Sequence, residues 1–186
     1  MKYWAWSPSL RSLHLLWLFP PVLASCLLLS GCGPQTAPKS VYPMGERATN
    51  GSIVYNVIQT VWKTQLGNVL NTRMPQNRFL LITLSATNSG GREVSLPFFT
   101  LEGPGGKEIK ELENGEGVEN WFGLLRTLKP AETHQGILLF DAPLTSFRLR
   151  LTDGGEPGSE KFVWVDIPLQ NIDTDTSVTV PLPGQN

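Results

Sequence analysis

Apolar and polar positions alternate in short runs along most of this chain, and clusters of Gly, Pro, Asn and Asp separate the runs. The clearest run is Phe79 to Ala86. Leu80, Ile82, Leu84 and Ala86 would share one face of a pleated strand and Phe79, Leu81, Thr83 and Ser85 the other, because successive side chains of a strand point to opposite sides. Asn88-Ser89-Gly90-Gly91 follows, and Asn and Gly tolerate the positive φ of a tight reversal. Arg92 to Leu96 then resumes the alternation with Val94 and Leu96 inward, and Pro97 bars a central ladder position. Asn77 to Glu102 is therefore expected to be two strands and the turn between them. It sets the fold class.

The same pattern recurs on both sides. Ser52 to Trp62 reads as a first strand whose apolar face shifts from Ile53, Tyr55 and Val57 to Ile58, Val61 and Trp62, which predicts a bulge near Asn56 to Gln59. Gln65 to Gln76 reads as a loop. Phe98 to Glu102 is a short strand, and Gly103-Pro104-Gly105-Gly106 returns the chain as a hairpin through Lys107 to Leu112. Leu128 to Glu132 is a turn, and Thr133 to Phe140 is a strand. Phe147 to Leu151 alternates strictly, with Arg148 and Arg150 toward water. Asp153 to Gly158 is a turn, Phe162 to Leu169 a strand with Val163, Val165 and Ile167 on one face, and Ser177 to Val180 a last edge strand. Seven to eight short strands with no helical pattern predict an all-β fold, an immunoglobulin-like antiparallel β-sandwich.

The N-terminus follows another pattern. Lys2 and Arg11 form a positive region, Leu15 to Leu29 is apolar, and Leu29-Ser30-Gly31-Cys32 closes it with small residues before a cysteine. This resembles the lipobox of bacterial lipoproteins, which implies cleavage between Gly31 and Cys32 and diacylglycerol on the Cys32 sulfur. Leu23-Ala24-Ser25-Cys26 is a second match, but three leucines would follow Cys26, whereas Gly33 to Ser40 turns polar at once. Pro20-Pro21 interrupts the apolar run, which falls short of the roughly 20 residues of a membrane span. Residues 1–31 are therefore expected as a signal peptide, 32–50 as a lipidated N-terminus and flexible linker, and 51–186 as the sandwich.

Composition narrows the function. At 186 residues, 40% hydrophobic and 17% charged, the chain suits one globular domain plus an appendage. Cys26 and Cys32 are the only cysteines, so a chain cut at Cys32 has no disulfide, thiol nucleophile or cysteine metal site. Of the 15 Lys and Arg, two lie in the signal, so acidic side chains outnumber basic ones in the mature chain and no basic face is left for nucleic acid.

Tyr55 through Leu169 resembles the telokin-like, immunoglobulin-like domain of unknown function found in many bacterial surface lipoproteins. The matching elements are Phe79 to Leu84 leading to the Asn88 turn, the strand with Phe99 and Leu101 before a Gly turn, Leu128-Lys129-Pro130-Ala131-Glu132, and Gly136-Ile137-Leu138-Leu139-Phe140 followed by Pro143. The chain departs at Ala131, where that family commonly has Gly, and in the longer, more acidic stretch from Glu108 to Asn120. The resemblance implies a sandwich on a lipid tether and supplies no catalytic residue.

Candidate chemistry is sparse. His134 is the only histidine after the signal; with no paired ligand or GxSxG elbow it reads as an exposed strand residue. Glu108, Glu111, Glu113, Glu116 and Glu119, and Asp173 with Asp175, match no calcium loop and read as solvated. Trp62 and Trp164 fall in or at the end of strands and read as core or sheet-face residues. Trp121-Phe122 sits in an unpatterned stretch that alternation does not explain; one or both of the pair read as closing an end of the sandwich, and the pair is also the candidate binding surface. No metal, cofactor or catalytic residue is expected. The expected function is a lipid-anchored envelope protein, facing the periplasm or cell exterior, whose sandwich binds an unidentified partner. A structural or assembly accessory of an envelope complex is the alternative, and a hydrolase using a carboxylate pair the weaker one.

Overall fold

The structure, a computed structural model, describes residues 40–172 apart from Val69 and Pro157. The signal peptide, Cys26, the Gly31 and Cys32 cleavage site and the expected Ser177 to Val180 strand lie outside the described residues. Thirteen strands follow in order: β1 (Val41–Pro43), β2 (Arg47–Asn50), β3 (Ile53–Lys63), β4 (Leu66–Asn68), β5 (Asn71–Arg73), β6 (Arg78–Asn88), β7 (Val94–Ser95), β8 (Thr100–Glu102), β9 (Glu108–Lys110), β10 (Thr127–Leu128), β11 (Thr133–Ala142), β12 (Phe147–Thr152) and β13 (Phe162–Ile167). Among the described residues there is no α-helix.

Two sheets form the β-sandwich. One has the order β11-β6-β3-β2 and the other β1-β13-β12-β8-β9, while β7 with β10 and β4 with β5 make two small pairs. The inward faces are those that alternation marks. Leu80, Ile82, Leu84 and Ala86 of β6, Ile53, Tyr55 and Val57 of β3, and Val163, Val165 and Ile167 of β13 are all buried in one cluster. The bulge predicted in β3 is present as a register shift between Val57 and Gln59, which swings Thr60 and Trp62 onto the inner face opposite Ile82 and Leu80. Tyr55 is inside this cluster. Burial, with Asp153 adding to it, pushes its phenol up, so it stays a neutral donor to the Thr152 carbonyl at 2.8 Å.

Three expectations need correction. First, Asn77 to Glu102 is not a hairpin. Strand β6 pairs with β3 along one edge and β11 along the other, so no edge is left for the chain after Asn88, and β7 pairs with β10 instead. Asn88 makes this exit. It is fully buried, its Nδ2 donates to the carbonyls of Arg92 at 2.7 Å and Leu128 at 3.0 Å, and its Oδ1 accepts from the Gly90 N–H at 2.9 Å.

Second, residues 41–50, expected in the linker, belong to the sandwich. β1 runs parallel to β13, with Val41 opposite Trp164, and β2 pairs with β3 through Ala48 opposite Tyr55. Only Ala48 and Asn50 of β2 turn inward, too few for an alternating signal. Asn50 is buried yet satisfied, donating to the Leu151 carbonyl at 3.1 Å and the Lys161 carbonyl at 2.7 Å. Third, residues 65–76 are not simply a loop. They contain the β4–β5 hairpin, whose Leu66 joins Leu81, Leu112 and Val118 over Phe79 and Leu139 on the outer side of the four-stranded sheet.

The stretch from Glu108 to Arg126 is held by an ion pair. Glu111 Oε1 lies 2.7 Å from Arg126 Nη2 and Glu111 Oε2 lies 2.8 Å from Nη1, and both side chains are buried. The remaining valences are met: the Phe99 N–H donates to Oε2 at 3.0 Å, and Arg126 Nε donates to the Gly123 carbonyl at 2.6 Å. The guanidinium also lies 4.3 Å from the centre of the Phe98 ring and 5.2 Å from that of Phe122. Glu111 is thus a core residue and not part of a solvated run.

Removing one member of such a pair strands the other charge, which typically costs about 3–5 kcal/mol, whereas replacing both by apolar groups can be near neutral. Urea unfolding should therefore show Arg126→Met strongly destabilised and the Glu111→Leu, Arg126→Met double variant recovering at least half of that loss. Ala131 supplies a second expectation. It has φ +62°, a left-handed conformation that costs an L-residue about 1–2 kcal/mol, and its N–H is tied to the Asn88 carbonyl at 2.9 Å. Ala131→Gly should raise the melting temperature; an unchanged or lower value would contradict this account of the position.

Candidate functional site

The expected surface at Trp121-Phe122 divides in two. Phe122 is buried, 6.0 Å from Phe99 between ring centres, so it belongs to the core and not to a binding surface. Its backbone explains why: the Phe122 N–H donates to the Ile137 carbonyl and the Ile137 N–H to the Asn120 carbonyl, which lays this segment along the free edge of β11. Gly136 permits that approach, since a Cβ there would lie 2.7 Å from Phe122 Cα. Trp121 is half-buried and stacks on Gly115, where a Cβ would meet the indole ring. It anchors the covering segment.

His134 also differs from expectation. It pairs with Ala86 on the inward face of β11, is half-buried, and its ring meets Phe122 edge to face at 4.6 Å. A lone imidazole packed on a phenyl ring closes one corner of the core. The glutamates disperse: Glu108 pairs with Arg150, Glu111 with Arg126, and Glu116 accepts from Asn71 at 2.8 Å. Among the described residues, no three His, Cys, Asp or Glu side chains gather as a metal site.

The outer face of the five-stranded sheet collects the chemistry instead. Cross-strand register sets two rows over it. Val41, Trp164, Arg150, Thr100 and Lys110 form one, and Pro43, Asp166, Arg148, Glu102 and Glu108 the next, with Phe162 opposite Thr152 beyond the first. Arg148 Nε donates to Asp166 Oδ1 at 3.2 Å, Arg150 Nη1 to Glu108 Oε1 at 2.6 Å, and Trp164 Nε1 to Glu102 Oε2 at 2.9 Å. Arg150 also lies 5.0 Å from the centre of the Phe162 ring. The bond to Glu102 orients the indole and the bond to Glu108 orients the Arg150 guanidinium, while the Arg148–Asp166 pair is more than half exposed and weakly held.

A hollow lies at each end of this face. One, of about 150 Å³, is lined by Phe98, Arg150, Glu160 and Phe162 among others. The other, of about 560 Å³, lies between Arg148, Asp166 and the turn at Gly103 to Gly106. That turn needs glycine, because Gly105 and Gly106 have φ of +71° and +76°. Sequence reading left Trp164 as a core or sheet-face residue and sent Arg148 and Arg150 outward, but did not join them. The signal was present in the alternation of Phe162, Trp164 and Asp166 against Val163, Val165 and Ile167.

Comparison with known proteins agrees with this fold. The yjhA protein of Bacillus subtilis is similar at 15% identity with a TM-score of 0.53, over 68% of this chain and 98% of that one. A "putative lipoprotein (ycdA)" of Bacillus subtilis is similar at 15% identity with a TM-score of 0.52, over 66% of this chain and 38% of that longer one. No curated protein matches the chain. Residues 42–161, from β1 through the turn before β13, match the family model described as "Domain of unknown function (DUF4352)", and the chain belongs to that family.

Proposed function

We propose that this chain is a lipid-anchored protein of the bacterial cell envelope whose sandwich acts as a non-catalytic binding module, with the outer face of the five-stranded sheet as its binding surface. The lipobox at Leu29 to Cys32 supports the anchor. Two acyl chains would make membrane residence stable where one would not. Because β1 starts at Val41, only residues 33–40 separate Cys32 from the sandwich, and eight residues reach at most about 29 Å when fully extended. The partner must therefore lie near the membrane surface.

The observation that carries the binding half is the row of Trp164 and Arg150 beside Phe162, with Glu102 bonded to the indole and Glu108 to the guanidinium. Aromatic and arginine side chains held in fixed planes are the groups that dominate recognition surfaces. The outer face of the other sheet is roofed in part by Leu66, Leu112 and Val118, which gives it a structural use.

Two measurements test this reading. Intact mass of the mature protein should show loss of the first 31 residues and a diacylated Cys32, and Cys32→Ser should leave the membrane fraction; a retained Met1 or an unmodified Cys32 would end the anchor proposal. A photo-crosslinker at Asp166 should capture material in intact cells that the same probe at Thr87, on the other sheet, does not. Capture from Thr87 alone would move the surface to the opposite sheet. A stable protein recovered from either position would favour the assembly accessory.

A further inference from the structure

Resting on that reading of the face, we infer that its ligand is a glycan: a neutral or nearly neutral linear polysaccharide chain lying along β13 and β12, with a pyranose ring stacked on Trp164. The argument begins with charge. Arg148, Arg150 and Lys110 stand on this face against Glu102, Glu108 and Asp166, and both arginines already have carboxylate partners at 3.2 and 2.6 Å. With Glu160 adding one negative charge in the Phe98 hollow, the face carries no excess of positive charge and so offers no attracting field for a polyanion or an anionic lipid surface. It does offer donors and acceptors at fixed positions, which neutral hydroxyl groups can use.

The aromatic groups point the same way. Phe162 and Trp164 are two residues apart on one strand and so project from the same face about 7 Å apart along it. The axial C–H groups of a pyranose ring form an apolar patch that packs flat on an indole, while its equatorial hydroxyls lie in the ring plane and meet side chains at the rim. Here the rim is Glu102, which holds Trp164 Nε1, and Arg150, which uses one nitrogen on Glu108 and keeps other donors of its planar fork. Groups already oriented by such bonds lose less freedom on binding, which lowers the entropic cost of recognition.

Shape completes the case. The six-residue strands β12 and β13 extend about 20 Å, and the face they form opens into the Phe98 hollow at one end and the Gly103 to Gly106 hollow at the other. A sheet face with a hollow at each end suits an internal stretch of a chain better than a compact small molecule.

The test uses the full-length protein in detergent micelles, titrated calorimetrically with the neutral oligosaccharides chitotetraose, cellotetraose and mannotetraose. At least one of these probes should bind. Trp164→Ala and Arg150→Ala should each weaken that binding about tenfold or more, Trp164→Phe should restore part of it, and unfolding curves should show all three variants folded. The inference is overturned if the wild-type protein binds none of the three probes, or if Trp164→Ala binds as well as wild type. Should the titrations fail while the crosslinker at Asp166 still captures a protein, the glycan is excluded and the binding face survives. If both fail, the face itself is not a binding surface.

Discussion

The buried pair of Glu111 and Arg126 is the constraint on which the less regular half of this sandwich depends. Long strands such as β3, β6 and β11 need nothing of the kind, since their ladders and inward apolar faces hold them. The chain from Glu108 to Arg126 has few apolar anchors and only one three-residue strand, so it would gain little from burial alone. A carboxylate and a guanidinium, bonded twice to each other and further to Phe99, Gly123 and the ring of Phe98, replace that missing core. Such a pair adds modest net stability but makes any other arrangement of the segment costly, because opening it would strand two charges in an apolar interior.

From this pair the constraint passes outward to the proposed site. Glu111 directly follows β9, so fixing it fixes Glu108, and Glu108 sets the position of Arg150 over Phe162. On the other side Arg126 supports Phe98, which walls one hollow of the same face. A buried interaction thereby pre-positions an exposed one. The outer sheet face is built on strands and not on mobile loops, which favours recognition by rigid complementarity.

The sandwich was legible in the sequence because alternation has a period of two and needs only five or six residues to declare itself. That suffices for β3, β6, β11, β12 and β13, and it even located the bulge in β3. It fails for β1, β2, β4 and β5, where three or four residues carry at most two inward side chains and one of those, Asn50, is polar. Pairing partners were illegible for a different reason. Asn88 to Gly91 has the chemistry of a hairpin turn, and nothing local shows that both edges of β6 are already occupied by strands distant in sequence. Glu111 looked solvated because burial of a carboxylate is readable only with its partner, fifteen residues away. The resemblance flagged Ala131 correctly as unusual, and its positive φ supplies the physical reason. The proposed face was half visible: alternation put Trp164, Arg148 and Arg150 on outer faces, but only the register of β13 with β12 and β8 makes them neighbours.

Amide hydrogen exchange on the Arg126→Met variant tests the central claim, that one buried pair holds the segment which in turn supports the proposed binding face. Exchange should rise across residues 108–112 and 120–128 while residues 78–88 and 133–142 keep their wild-type protection. Unchanged protection in residues 108–112, or a uniform loss across the whole sandwich, would contradict it.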